Sequence, residues 1–95
     1  MYLVEIFLPL NNPPEVQRLV VELAENFGGA TAHLRAPADG LWSGDDRQLE
    51  YDRIGVIEVM VDELDKDWWG AFRARLETSF NQEEILIRAS KCDRL

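Results

Sequence analysis

Histidine, arginine and glutamate side chains occur inside short apolar stretches of this sequence, where they could do chemistry. His33, the only histidine, lies two residues before Arg35 in "ATAHLRA". Glu5 lies within "YLVEIFLPL" and Glu58 within "IGVIEVMV". A carboxylate beside an imidazole can transfer a proton, and several charged groups together can hold a charged ligand. Whether these side chains meet depends on the elements that carry them.

Turn and capping residues divide the sequence into six elements in the order β-α-β-β-α-β. Asn11 or Asn12 can cap the first helix, and the glycines of "FGG" can end it in the left-handed conformation. Pro37 is expected to end the second strand before a turn at "PADG", and Asp65 can cap the second helix. The six stretches are, in chain order, "YLVEIFLPL", "NNPPEVQRLVVELAENFGG", "ATAHLRA", "QLEYDRIGVIEVMV", "KDWWGAFRARLETSF" and "QEEILIRAS".

This order predicts an α+β, ferredoxin-like sandwich that forms a single domain over residues 1–95. Right-handed crossovers place both helices on one face of a four-stranded antiparallel sheet. By analogy with that fold, we expect the spatial strand order 4-1-3-2. Each helix has an apolar stripe that would face the sheet. The stripes are Val16, Leu19, Val20, Leu23 and Phe27 in the first helix, and Trp69, Phe72, Leu76 and Phe80 in the second.

Side chains alternate along a strand, so each strand divides into a core set and an open set. The core set is uniformly apolar: Val4, Ile6, Leu8, Ala32, Leu34, Ile57, Val59, Val61, Ile85, Ile87 and Ala89. The open set is mixed: Leu3, Glu5, Phe7, Thr31, His33, Arg35, Val56, Glu58, Met60, Leu86 and Arg88. In the expected strand order, the charged members of the open set form one row: Arg88, Glu5, Glu58, and then His33 with Arg35.

The two adjacent glutamates, Glu5 and Glu58, are the unusual feature of this row. Opposite charges on neighbouring strands are favourable by about 0.2–1 kcal/mol, whereas like charges directly opposite are unfavourable. Apolar side chains such as Phe7 and Met60 surround the charges, and a monomer would expose them. Exposed apolar patches of this kind usually mark a binding surface. We therefore place the candidate site on the open face of the sheet.

Two interpretations of the open face remain. In the first, the protein is a homodimer that binds a small ligand or a protein partner through this face. In the second, it is an enzyme in which His33 transfers a proton together with Glu5 or Glu58, and the repulsion between the glutamates helps one of them to hold that proton. Trp42 lies in the predicted connection between the second and third strands. It packs locally there or contacts a ligand or second subunit.

Composition excludes several other classes of function. The formal net charge is −8, and the ten Lys and Arg residues are scattered, so nucleic acid is not an expected partner. No apolar run approaches the roughly 20 residues of a membrane helix, and "MYLVEIFLPL" lacks a basic leader. Cys92 is the only cysteine, which fits a reducing, cytoplasmic environment. No metal-binding or cofactor-binding motif is present, so we expect neither group.

Two longer segments, "FGGATAHLRAPADGLW" and "DKDWWGAFRARLETSF", carry a resemblance to known proteins. The chain resembles small, uncharacterised bacterial proteins of a ferredoxin-like domain of unknown function. The residues that carry this resemblance are Phe27, Gly28, Gly29, Thr31, Gly40 and Trp42. At fold level the chain is also similar to dimeric α/β-barrel proteins, which include cofactor-independent monooxygenases. That second resemblance implies, as the alternative function, a cofactor-independent enzyme that uses His33 with Glu5 or Glu58.

Overall fold

The computed structural model describes the backbone of residues 1–43 and 49–95, and the side chains of residues 1–34 and 53–95. Its elements are β1 (Tyr2–Pro9), α1 (Pro13–Phe27), β2 (Thr31–Ser43), β3 (Leu49–Val61), α2 (Lys66–Ser79) and β4 (Ile87–Lys91). The strands form one antiparallel sheet in the order β2-β3-β1-β4. This confirms the predicted α+β, ferredoxin-like arrangement and its strand order. Neither helix in the described part of the chain is long and apolar enough to cross a bilayer.

The helix ends follow the capping signals of the sequence. The Asn12 side chain accepts a hydrogen bond from the Glu15 backbone N–H at 3.4 Å, and Asp65 accepts one from the Trp68 N–H at 3.1 Å. Gly28 has a φ of 86°, in the left-handed region, and its N–H donates to the Ala24 carbonyl at 2.8 Å. A residue with a Cβ is strained in that conformation, which explains a glycine at the end of α1.

The core lies between the two helices and one face of the sheet. Ile6, Leu8, Leu23 and Ile57 are fully buried, with 0% of each residue exposed. The predicted stripe of α2 is buried along its whole length, and that of α1 is buried or partly buried. One predicted core residue, Ala89, is exposed. The prediction was wrong there because an open cleft separates α2 from this part of β4.

The second strand continues beyond the point where the sequence predicts its end. β2 passes through Pro37 and the expected "PADG" turn as far as Ser43. Between His33 and Ala38 the register against β3 shifts, because β2 advances five positions while β3 advances two. β2 is an edge strand, and proline is tolerated at a sheet edge or at a bulge, where its missing N–H breaks no ladder bond.

The last strand begins later than the sequence predicts. The expected strand starts at Gln82, whereas β4 starts at Ile87. Ile85 is nevertheless buried, and its backbone N–H donates to Glu77 Oε2 at 2.9 Å instead of to a neighbouring strand. A side chain of α2 thus satisfies the backbone just before β4, and the residue needs no ladder partner.

Aromatic and charged contacts hold the two helices together. The Phe27 ring lies 5.2 Å from the Trp68 ring and 5.3 Å from the Trp69 ring, which ties the end of α1 to the start of α2. Further along, Arg75 Nη1 donates to Glu22 Oε1 at 2.9 Å, and Nη2 donates to Oε2. These hydrogen bonds to Glu22 raise the pKa of Arg75. The end of α1 is therefore held in a defined place beside the sheet.

Truncation of Leu23 tests this packing. We expect Leu23→Ala to lower the free energy of unfolding by about 2–5 kcal/mol, because it leaves a cavity in the core. Val21→Ala on the same helix is the matched control, since Val21 is 54% exposed, and its effect should stay within about 0.5 kcal/mol. Urea unfolding followed by circular dichroism measures both. Equal losses for the two variants would show that α1 packs through a different face.

Candidate functional site

The sheet register brings the predicted row of charges together on the open face. Glu5 lies directly opposite Glu58 of β3 on one side and opposite Arg88 of β4 on the other. His33 is opposite Val56, which places its side chain next to that of Glu58 on the same face. The predicted juxtaposition of these four charged residues is therefore present.

Backbone hydrogen bonding shows how closely the two glutamates approach. The Phe7 N–H donates to the carbonyl of Leu86, the residue just before β4, at 3.0 Å, and the Leu10 N–H donates to the carbonyl of Arg53 in β3, also at 3.0 Å. Odd-numbered β1 residues thus bond to β4 and even-numbered ones towards β3. Glu5 and Glu58 are consequently a non-hydrogen-bonded pair. Such pairs have Cα atoms about 4.5 Å apart and the closest side chains in a sheet.

Each glutamate has a different basic partner. Arg88 Nε donates to Glu5 Oε1 at 3.0 Å, and His33 Nε2 lies 3.3 Å from Glu58 Oε1. Arginine is always charged, whereas an imidazole compensates a carboxylate fully only when protonated. The negative charge of Glu5 is therefore always compensated by Arg88, whereas that of Glu58 is compensated fully only when His33 is protonated. Partly exposed pairs of this kind contribute at most about 1 kcal/mol to stability, so stability alone does not explain the row.

The remaining predicted site residues divide into two groups. The Arg88 guanidinium lies over the Phe7 ring, 4.8 Å from its centre, and Met60 is exposed on the same face. The backbones of Arg35 and Trp42 lie in β2, where Trp42 is opposite Glu50. The side chains of Arg35 and Trp42 lie outside the described residues.

A cleft of about 760 Å³ adjoins the charged row at Glu58. Glu58 and Met60 of the open face line it together with Leu3 and Thr31. Its other described lining residues come from the N-terminus, from the ends of α1 and β3, and from the segments after α1, β3 and β4: Met1, Asn26, Phe27, Gly28, Gly29, Ala30, Val61, Asp62, Glu63 and Arg94. Strand alternation did not predict this cleft. The two glycines of "FGG" were the signal in the sequence that could have indicated it. Both had been explained as the end of the first helix.

Two local reasons usually require a glycine, a left-handed backbone and tight packing, and neither applies to Gly29. Its φ lies outside the left-handed region, and a Cβ built on it would meet no atom within 4 Å. Neither the backbone conformation nor tight packing therefore requires glycine at this position. The missing side chain leaves extra room in the wall of the cleft.

The electrostatics of the cleft favour a positive charge. Glu58, Asp62 and Glu63 line it, against Arg94 and the N-terminal Met1 among the described lining residues. The last turn of α1, which also lines the cleft, contains no basic residue. The partial negative charge at a helix C-terminus adds to that of nearby carboxylates. Among the described residues, no three His, Cys, Asp or Glu side chains are grouped closely enough to hold a metal ion.

Solved structures with a similar backbone exist. A phage SAM lyase in complex with S-methyl-5'-thioadenosine superposes with a TM-score of 0.64 and 19% sequence identity, covering 95% of this chain and 80% of that one. A phage SAM lyase in the apo state gives a TM-score of 0.58 and 17% identity, covering 94% and 78%. No protein-family profile matches the sequence. A comparison with curated proteins also gave no match. At these identities, the likeness establishes a shared small α+β fold.

Proposed function

We propose that this protein binds a small, positively charged molecule in the cleft beside Glu58. The observation that carries the proposal is the position of Glu58, which belongs both to the close glutamate pair and to the wall of the cleft. A cationic group of a ligand would compensate the negative charge of Glu58, which His33 does only when it is protonated. Glu5 does not line the cleft among the described residues and is already bonded to Arg88.

The lining of the cleft also suggests the rest of the ligand. Leu3, Phe27 and Met60 present apolar surface beside the carboxylates. Pockets that combine apolar walls with a few polar groups usually bind small organic molecules, with the polar groups fixing their orientation. A ligand with a flat aromatic ring and a separate positive charge matches this combination.

S-adenosylmethionine is the probe that we propose for this site. It carries a sulfonium charge and an adenine ring, which meet the two requirements of the cleft. The similar fold of a phage SAM lyase bound to S-methyl-5'-thioadenosine supports this choice of compound class. S-methyl-5'-thioadenosine has the same adenosine portion without the positive charge. S-methyl-5'-thioadenosine also lacks the aminocarboxypropyl group of S-adenosylmethionine, so comparison of the two compounds separates the contribution of the adenosine portion from that of the charged portion.

Glu58→Gln should weaken the binding of S-adenosylmethionine by about ten-fold or more, because a charged contact in the cleft is lost. The affinity for uncharged S-methyl-5'-thioadenosine should change much less. Isothermal titration calorimetry measures both. The matched control is Glu5→Gln, which removes the same charge from the same row outside the cleft and should have the smaller effect.

Two outcomes would contradict the proposed site. Binding of S-adenosylmethionine that is unaffected by Glu58→Gln would place the ligand elsewhere. The absence of binding to both compounds, with the protein folded, would refute this class of ligand.

A second candidate function is catalysis at the same site. The 3.3 Å separation of His33 Nε2 and Glu58 Oε1 favours it, because a paired imidazole and carboxylate can act as a general base. Glu5 is the weaker candidate for that role because Arg88 holds its carboxylate. Cleavage of the carbon–sulfur bond of S-adenosylmethionine would give S-methyl-5'-thioadenosine together with homoserine if water attacks, or with its lactone if the ligand's own carboxylate attacks. Detection of both products by chromatography, above the rate without protein, distinguishes an enzyme from a binding protein. A turnover that His33→Ala leaves unchanged would refute a role for the pair.

We further propose that the protein is a homodimer that covers the apolar part of the open face. Leu86 is 39% exposed and Met60 40% exposed on this face, and a second copy of the chain would bury both. Light scattering at micromolar concentration should give twice the monomer mass for the unmodified chain. Leu86→Glu should shift it to the monomer, and Val21→Glu, on the helical side, should not. A monomer in the unmodified protein contradicts the proposal.

A further inference from the structure

A second cleft, of about 410 Å³, lies between α2 and β4. Ile87, Ala89, Leu64 and Trp69 give it an apolar floor. This is the region where Ala89 was expected to be covered by the helix and is exposed instead. Part of the inner face of β4 therefore has no cover from α2.

The edge of β4 in this cleft has free backbone groups. The Phe7 N–H bonds to the Leu86 carbonyl, and the Cys92 N–H bonds to the Met1 carbonyl. In an antiparallel ladder these partners alternate, so Arg88 and Ser90 also direct their backbone groups to β1. Ile87 and Ala89 then direct their N–H and C=O groups outwards. Among the described residues, no strand pairs with this edge.

The charge of this cleft is opposite to that of the whole chain. Lys66, Arg73 and Arg88 line it, and its described lining includes no Asp or Glu. The chain has only ten basic residues against 18 acidic ones, so this grouping is not what the composition predicts. Lys66 and Arg73 are exposed on α2, whereas the Arg88 side chain turns to Glu5 on the open face. Positive charge therefore flanks the free strand edge on its helical side.

We propose that the β4 edge is a docking site for an extended, acidic peptide segment of a partner protein, which adds to the sheet as a fifth strand. The outward N–H and C=O groups supply main-chain hydrogen bonds, and Lys66 and Arg73 select acidic side chains. A second copy of β4 is a poor occupant, because two-fold pairing would bring the same positive charges together. A small anion would accept hydrogen bonds from the outward N–H groups of β4, but it would leave the outward C=O groups of the strand without partners.

The test uses the full chain and a fluorescent peptide of about seven residues that alternates glutamate with valine. Fluorescence anisotropy should detect saturable binding that weakens as salt is added, because the selecting charges are exposed. The corresponding lysine–valine peptide should not bind. Arg73→Glu should weaken the glutamate peptide by about ten-fold or more. Arg18→Glu, which makes the same change of charge on α1, is the matched control and should have little effect.

Two further measurements distinguish strand addition from simple charge attraction. The peptide should slow hydrogen exchange at the Ile87 and Ala89 amides, which face outwards. Ala89→Pro removes one outward donor without breaking a bond to β1, and it should weaken binding while circular dichroism stays native-like.

Three results would overturn the proposal. The first is that the glutamate peptide does not bind to the folded protein. The second is that Arg73→Glu and Arg18→Glu lower the affinity for the peptide equally. The third is that inorganic pyrophosphate displaces the peptide completely, which would identify a small-anion site instead. Each is independent of whether the Glu58 cleft binds its own ligand.

Discussion

The register of β1 between its two neighbours is the constraint on which the site depends. Side chains alternate with a period of two, so a shift of one residue would move every side chain of β1 to the opposite face. The buried residues Val4, Ile6 and Leu8 fix the face of β1, because any shift by an odd number of residues would turn all three away from the helices. Glu5 is thereby held on the open face, where the observed register places it opposite Glu58 and Arg88. The energy of the apolar core thus maintains a like-charge pair that would be unfavourable by itself.

The two faces of the sheet have different roles as a result. The helical face contains the buried core, and the described residues show no buried polar side chain without a partner. The open face contains the ion pairs and the exposed apolar residues. At one end of the sheet, the last turn of α1 comes close to Glu58 and completes a cleft with residues from both faces. The position of α1 depends on the contacts of Phe27 with Trp68 and Trp69, so core packing and the shape of the candidate site are connected.

Sequence reasoning succeeded where structure depends on local periodicity. Alternation in "YLVEIFLPL" and "IGVIEVMV" was enough to assign faces, and the fold's usual strand order then brought Arg88, Glu5, Glu58 and His33 together.

Sequence reasoning was less successful where a distant partner decides the outcome. Pro37 was expected to stop β2, but an edge strand can pass a proline by shifting its register. Ile85 was assigned to a strand, although a side chain from α2 satisfies its backbone. The cleft was missed because it depends on how the end of α1 meets the sheet, which no single stretch of sequence contains.

The most direct test of this account is an NMR measurement of contacts between the α-protons of β1 and β3. Non-hydrogen-bonded pairs in antiparallel sheets bring the two α-protons close together. The account predicts a strong cross-peak between the α-protons of Glu5 and Glu58. A strong cross-peak from Glu5 to Ile57 or Val59, with none to Glu58, would place the two carboxylates on opposite faces and contradict the account.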